Sequence, residues 1–150
     1  MCLRLKENYE AYITEKDIIC FKSLRIKHFK ASEKYEAKDL YITPFRRIKI
    51  DLGNTYVSDI KIIGYNYGNK NLVKVSKVSQ GLHSYKLKKD CISSTKLQMS
   101  GLFQCDFAIA RCIIPAGSLY YVGEFGNSIC YASNKIYYDK IVKVIKYKMF

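Results

Sequence analysis

Residues 81 to 91 read GLHSYKLKKDC and crowd a histidine, a serine, a tyrosine and three lysines into one short stretch. His83 is one of only two histidines in the chain. An imidazole titrates near neutrality, so His83 is the candidate general acid or base, or a hydrogen-bond partner for phosphate. Lys86, Lys88 and Lys89 beside it would attract an anion. A structural histidine bonded to a backbone carbonyl explains the same letters. Ser84 is a poor nucleophile for His83, because neighbours on a strand point to opposite faces and no GxSxG elbow is present.

Other residues could complete an anion site. Lys22 lies in the apolar run DIICFKSL, and Arg46 and Arg47 follow Pro44. Tyr56, Tyr85, Tyr120, Tyr121 and Tyr131 fall near turns, where an aromatic ring can stack on a base. In YASNKI, Ser133 and Asn134 could bond a ligand and Lys135 could meet its charge. Neither GxxxxGK[ST] nor GxGxxG occurs, so anion binding would rest on side chains instead of a glycine-rich loop. His28 and His83 stand in different contexts and no CxxC pattern appears, so no metal site is expected and no cofactor is implied.

Composition narrows the classes. The chain has 150 residues, 49% of them hydrophobic, which suits a single domain over 1–150 with one core. Its 26 Lys+Arg against 13 Asp+Glu leave a formal charge of +13, which favours anionic partners, although abundant Lys, Ile and Tyr with no Trp also fit an AT-rich coding sequence. No run has the roughly 20 apolar residues a membrane span requires, and MCLRLKENYE has no secretory apolar core. Both point to the cytoplasm, with no membrane partner. The six cysteines are Cys2, Cys20, Cys91, Cys105, Cys112 and Cys130. Several sit in strand-like runs and are expected to be reduced, buried thiols.

The elements that must position these groups are mostly short strands. Asp17 to Leu24 predicts a first strand ending near Lys22, and the charged residues from Arg25 to Leu40 predict a loop or short exposed helix. FRRIKIDL predicts a half-buried strand before a turn at Gly53-Asn54, and Ile60 to Ile63 and Leu72 to Val78 predict a hairpin. KLKKDCISSTKLQMSG is the best helix candidate, a turn or two long and capped by Gly101. Strands follow at Phe107 to Ile114 and Leu119 to Val122, with one or two more between Ser128 and Lys148. The resulting fold class is α+β, mainly antiparallel β, with one or two short helices; parallel βαβ winding is disfavoured.

The order of a K-S-L strand, TPFRRIKIDLGNTY, GLHSY, CIIPAGSLYYVGEF and YASNKI resembles uncharacterised small proteins of phages, prophages and large DNA viruses that carry a G-[LF]-H-[SA] motif. The resemblance covers roughly residues 17 to 142 and implies a viral protein acting inside a host cell, without an established reaction. More distantly, the arrangement is similar to a split-sheet, ADP-ribosyltransferase-like fold. That likeness implies an NAD-shaped cleft lined by Lys22, Ser84 and the Glu124 region, but YASNKI offers no acid where the transferase pattern wants one.

Together these features predict a small nucleotide-binding protein that sequesters an NAD-derived or cyclic-nucleotide immune signal of the host. The ligand would be an anionic nucleotide or dinucleotide. The first alternative is an enzyme on the same ligands, a phosphodiesterase or ADP-ribosyl transferase with His83 as acid or base. The second is a basic module that binds nucleic acid or a host protein. Nothing in the sequence speaks to oligomeric state.

Overall fold

A computed structural model describes residues 3–6, 8–67 and 73–148. Among the described residues the chain is mainly antiparallel β, with one helix and a sheet curled into a half-barrel. In chain order the elements are β1 (Leu3–Leu5), β2 (Tyr12–Ile13), β3 (Ile18–Phe29), β4 (Lys38–Ile42), β5 (Lys49–Ile50), β6 (Thr55–Val57) and β7 (Lys61–Tyr67). Then come β8 (Val73–Gln80), β9 (Leu82–Tyr85), α1 (Lys88–Gly101), β10 (Phe107–Ile114), β11 (Leu119–Phe125), β12 (Ser128–Ser133) and β13 (Lys135–Ile145). The main path runs β6-β13-β10-β3-β9-β12-β11-β1-β8-β7, with β2 beside β11 and the β4/β5 pair beside β3.

The central strand β10 reads FAIARCII and shows how the sheet is buried. Ala110, Cys112 and Ile114 belong to one core cluster with Cys20, Leu24, Ile136 and Tyr138, while Ile109 belongs to a second with Leu3, Val78, Tyr85 and Cys91 of α1. Both faces of the strand are therefore covered, which is why its letters run apolar without alternating. Cys20, Cys91, Cys112 and Cys130 are fully buried, Cys105 is half-buried, and Cys2 lies outside the described residues.

The longest strand corrects the expectation that it ends near Lys22. β3 continues to Phe29, and the charged stretch after it holds β4 where a loop or helix was expected. Arg25 to Phe29 pair with Lys38 to Ile42, so the charged letters form the outer part of an antiparallel ladder. His28 closes that ladder: Nδ1 lies 2.7 Å from Asp39 and Nε2 lies 2.9 Å from Asp106. Charge alternation of this kind belongs to a solvated ribbon, and the absence of a bulky apolar face hid it from periodicity.

Two further expectations change. The strand expected within FRRIKIDL shrinks to Lys49–Ile50, because the preceding residues form a loop held at its base by Thr43. Thr43 Oγ1 accepts the Ile48 N–H at 2.9 Å, and its carbonyl accepts the Arg47 N–H at 3.1 Å. The helix is longer than a turn or two, running 14 residues, with Gly101 inside it and the N–H groups of Leu102 and Phe103 both reaching the Gln98 carbonyl. Burial of Cys91, Thr95 and Met99 along one stripe outweighs the weak propensity of Ile92, Ser93, Ser94 and Thr95. The β7/β8 hairpin forms as expected, although its connection, including Leu72, lies outside the described residues.

Close approach sets the placement of β1. A Cβ on Gly123 of β11 would stand 2.5 Å from the Arg4 carbonyl and 2.7 Å from the Leu3 side chain. Gly123→Ala must push β1 off the sheet, and should cost on the order of 1–3 kcal/mol in urea unfolding.

The His28 contact predicts a pH signature. Hydrogen bonds that the ring donates to Asp106 and then to Asp39 raise its pKa above the usual 6.5. Its contribution to stability is then fully present below the unfolded pKa and is lost as pH rises through the folded one. Thermal melts across pH 5–9 should show this decline in the native chain, and the difference from a His28→Asn variant should shrink once the imidazole is neutral.

Candidate functional site

The site follows from the two partners that share one edge of β3. Its other edge is taken by β10 from Ile18 through Arg25. On the shared edge β9 pairs only at Phe21↔Tyr85, and β4 begins only at Arg25↔Ile42. Among the described residues no strand lies against Lys22, Ser23 and Leu24 there. The fork between β9 and β4 is a pocket of about 310 Å³, at the lower end of the usual size for small-molecule sites.

Its walls come from several elements. β3 supplies Lys22 and Ser23, the Thr43-anchored loop supplies Pro44, Phe45 and Arg46, and β6 supplies Tyr56 and Val57. Gly81 and β9 contribute Leu82, His83 and Tyr85, while α1 contributes Gln98 from its last turn. Ile50 and Tyr138 complete the apolar lining. Tyr56 is held in place because its hydroxyl accepts the Asp51 N–H at 2.8 Å and its ring meets Tyr138 edge-on at 5.4 Å. Tyr85 is likewise anchored, its hydroxyl 2.6 Å from Ser94 Oγ on the helix.

Lys22 is the unusual member. Its strand neighbours of the same parity, Cys20 and Leu24, are core residues, so its side chain leaves the strand on a core face. Burial holds its ammonium below the ordinary lysine value; the thiols of Cys112 and Cys20 act in the other direction and Arg46 adds repulsion. Those thiols supply no negative charge near neutral pH, since burial pushes Cys20 up to about 11 and Cys112 higher still. Among the described residues no aspartate or glutamate lines the pocket. The pocket thus carries Lys22 and Arg46 with no acid to balance them.

His83 stands beside this charge in a defined state. Its Nδ1 donates to the Gly81 carbonyl at 3.1 Å, which leaves Nε2 as the acceptor nitrogen of a neutral ring. Burial, then the charge of Lys22, lowers its pKa to about 4. Gly81 is suited to its place because its φ of 152° lies where side chains are rarely accommodated. The expectation of a histidine poised near neutrality is corrected here: at physiological pH this imidazole accepts hydrogen bonds and is not a charged donor to phosphate.

The structure brings together Lys22, Arg46, Tyr56, His83 and Tyr85 and leaves the other candidates elsewhere. Arg47 is exposed and outside the lining, with a φ of 55°. Ser84 is buried beside Cys20 and does not line the pocket, as alternation along β9 requires. Lys86, Lys88 and Lys89 are exposed at the start of α1. Ser133 is fully buried and donates to the Lys135 carbonyl at 2.9 Å, and Asn134 Oδ1 accepts the Leu119 N–H at 3.0 Å. Those two residues shape the turn from β12 to β13, and Lys135 is exposed beside it. Tyr120 packs at a tilt against Tyr12 and edge-on against Tyr131, and Tyr121 packs edge-on against Tyr9, all outside the pocket lining. Glu124 sits on β11 opposite Arg4, so a cleft shared by Lys22, Ser84 and Glu124 does not form.

Gln98 was missed by sequence reasoning. Its signal was an uncharged polar residue at helical spacing from Cys91 and Thr95, on the stripe that faces the sheet. Phe45 and Thr43 carried only a turn signal through Pro44. Comparisons with protein-family models, curated proteins and solved structures return no match. Among the described residues no helix is long and apolar enough to cross a membrane, and no cluster of His, Cys, Asp or Glu has the makings of a metal site.

An uncompensated cation in an apolar-walled pocket destabilises the empty protein. Lys22→Met should therefore raise stability, by on the order of 1 kcal/mol in urea unfolding.

Proposed function

We propose that the fork between β3, β4 and β9 binds an anionic nucleotide and holds it without turnover. The observation that carries this reading is Lys22, a cation set in the core face of β3 with no acid in the lining around it. An anionic group beside Lys22 and Arg46 would neutralise both, and Tyr56, Phe45 and Pro44 offer flat apolar surface for a base. The pocket volume favours one nucleotide unit over a fully enclosed dinucleotide.

Binding is favoured over catalysis by the chemistry of the walls. Transfer of an ADP-ribosyl group or hydrolysis of a phosphodiester calls for an acid or base that is effective at neutral pH, and among the described residues the lining holds no carboxylate. His83, with its pKa near 4, is a weak base there. On the resemblance to phage and viral proteins, a tight binder of this kind would sequester a nucleotide signal of the host. The basic-surface alternative predicts affinity that falls steeply with salt and ignores the pocket.

Purified protein should be incubated with mononucleotides, NAD, ADP-ribose and cyclic dinucleotides, washed by filtration and denatured, and the released compounds weighed by mass spectrometry. We expect an unaltered nucleotide at close to one equivalent, absent from Lys22→Met. An altered compound would establish an enzyme, and retention unaffected by Lys22→Met would place binding elsewhere.

A further inference from the structure

Two buried acceptors add a second requirement to the same pocket. His83 Nε2 and Gln98 Oε1 are both shielded from solvent and have no hydrogen-bond partner among the described residues, and both residues line the fork. Buried polar atoms are nearly always paired, and leaving one unpaired costs about 1–3 kcal/mol. The Nδ1 contact to the Gly81 carbonyl fixes the tautomer of His83, so Nε2 cannot turn donor without taking up a proton. The facing charges, Lys22 and Arg46, oppose that protonation, and no carboxylate lines the pocket to favour it.

A fully ionised phosphate chain, the form that Lys22 and Arg46 favour, would satisfy the cations and leave both acceptors orphaned. Resting on the anion-binding reading above, we propose that the pocket selects a nucleotide bearing N–H or O–H donors beyond its phosphate, which His83 Nε2 and Gln98 Oε1 accept while Lys22 and Arg46 hold the anionic group. An exocyclic base amine and a sugar hydroxyl supply the same donor chemistry. The two sources differ in which compound satisfies the site.

Calorimetric titration of the intact chain with AMP, IMP, 2′-deoxy-AMP, ribose 5-phosphate and pyrophosphate separates these cases. At least one of the four donor-bearing compounds should bind tenfold or more tightly than pyrophosphate. A drop from AMP to IMP assigns the donor to the base amine, and a drop from AMP to 2′-deoxy-AMP, or strong binding of ribose 5-phosphate, assigns it to the sugar. Gln98→Leu and His83→Phe should each weaken the preferred compound about tenfold and leave pyrophosphate unchanged. If His83→Phe does not fold, Gln98→Leu and the panel on the native chain still decide.

Equal binding of pyrophosphate and every nucleotide, abolished by Lys22→Met, would overturn the donor requirement and keep the anion site. Binding of none of the compounds would overturn both.

Discussion

One strand edge cannot hold two partners at the same place, and this constraint shapes the protein. β3 carries β10 along one side, while its other side is divided between β9, which touches it at Phe21, and β4, which begins at Arg25. The interval between them must be filled by something other than a strand. Loop 43–48, β6 and the last turn of α1 close around it and leave a cavity in the interval. The length of β3 is thus the feature on which the pocket depends. A strand that stopped at Lys22 would have no second partner and no fork.

Charge is distributed unevenly around that frame. His28 lies between Asp39 and Asp106 on the exposed end of β3, where two carboxylates favour its charged form. His83 lies half-buried beside Lys22 and Arg46 in the pocket wall, where desolvation and like charge favour its neutral form. The same residue type is driven in opposite directions by position alone. Arg111 illustrates the usual solution for a cation on this sheet, since it pairs with Asp139 across β10 and β13. Lys22 departs from that solution, since among the described residues no carboxylate lines its pocket, and the proposed anion site rests on that departure.

The apolar framework was legible in the letters. Phe107 to Ile114 emerged as a strand with its bounds unchanged, because eight successive residues favour extended backbone and two covered faces tolerate an uninterrupted apolar run. The ribbon from Arg25 to Ile42 was not legible, because its exposed, charged residues outnumber the few buried ones such as Ile26 and leave no clear apolar period to read. The helix was located but underestimated. Its stability comes from Cys91, Thr95 and Met99 packing on the sheet, and propensity is blind to that.

For the site, the sequence by itself determined the chemical inventory: excess cations, a histidine in GLHSY, a proline-led arginine pair and tyrosines near turns. It also determined, through the period of two along β9, that His83 and Ser84 could not share a face. Only the tertiary structure decided that Lys22 and His83 line one cavity, that Gln98 joins them, and that Arg47, Ser133, Asn134 and Lys135 do not. The physical reason is separation along the chain. Lys22, His83 and Gln98 come from three elements whose meeting depends on strand pairing and helix docking, and long-range pairing leaves no mark in the spacing of the residues it brings together.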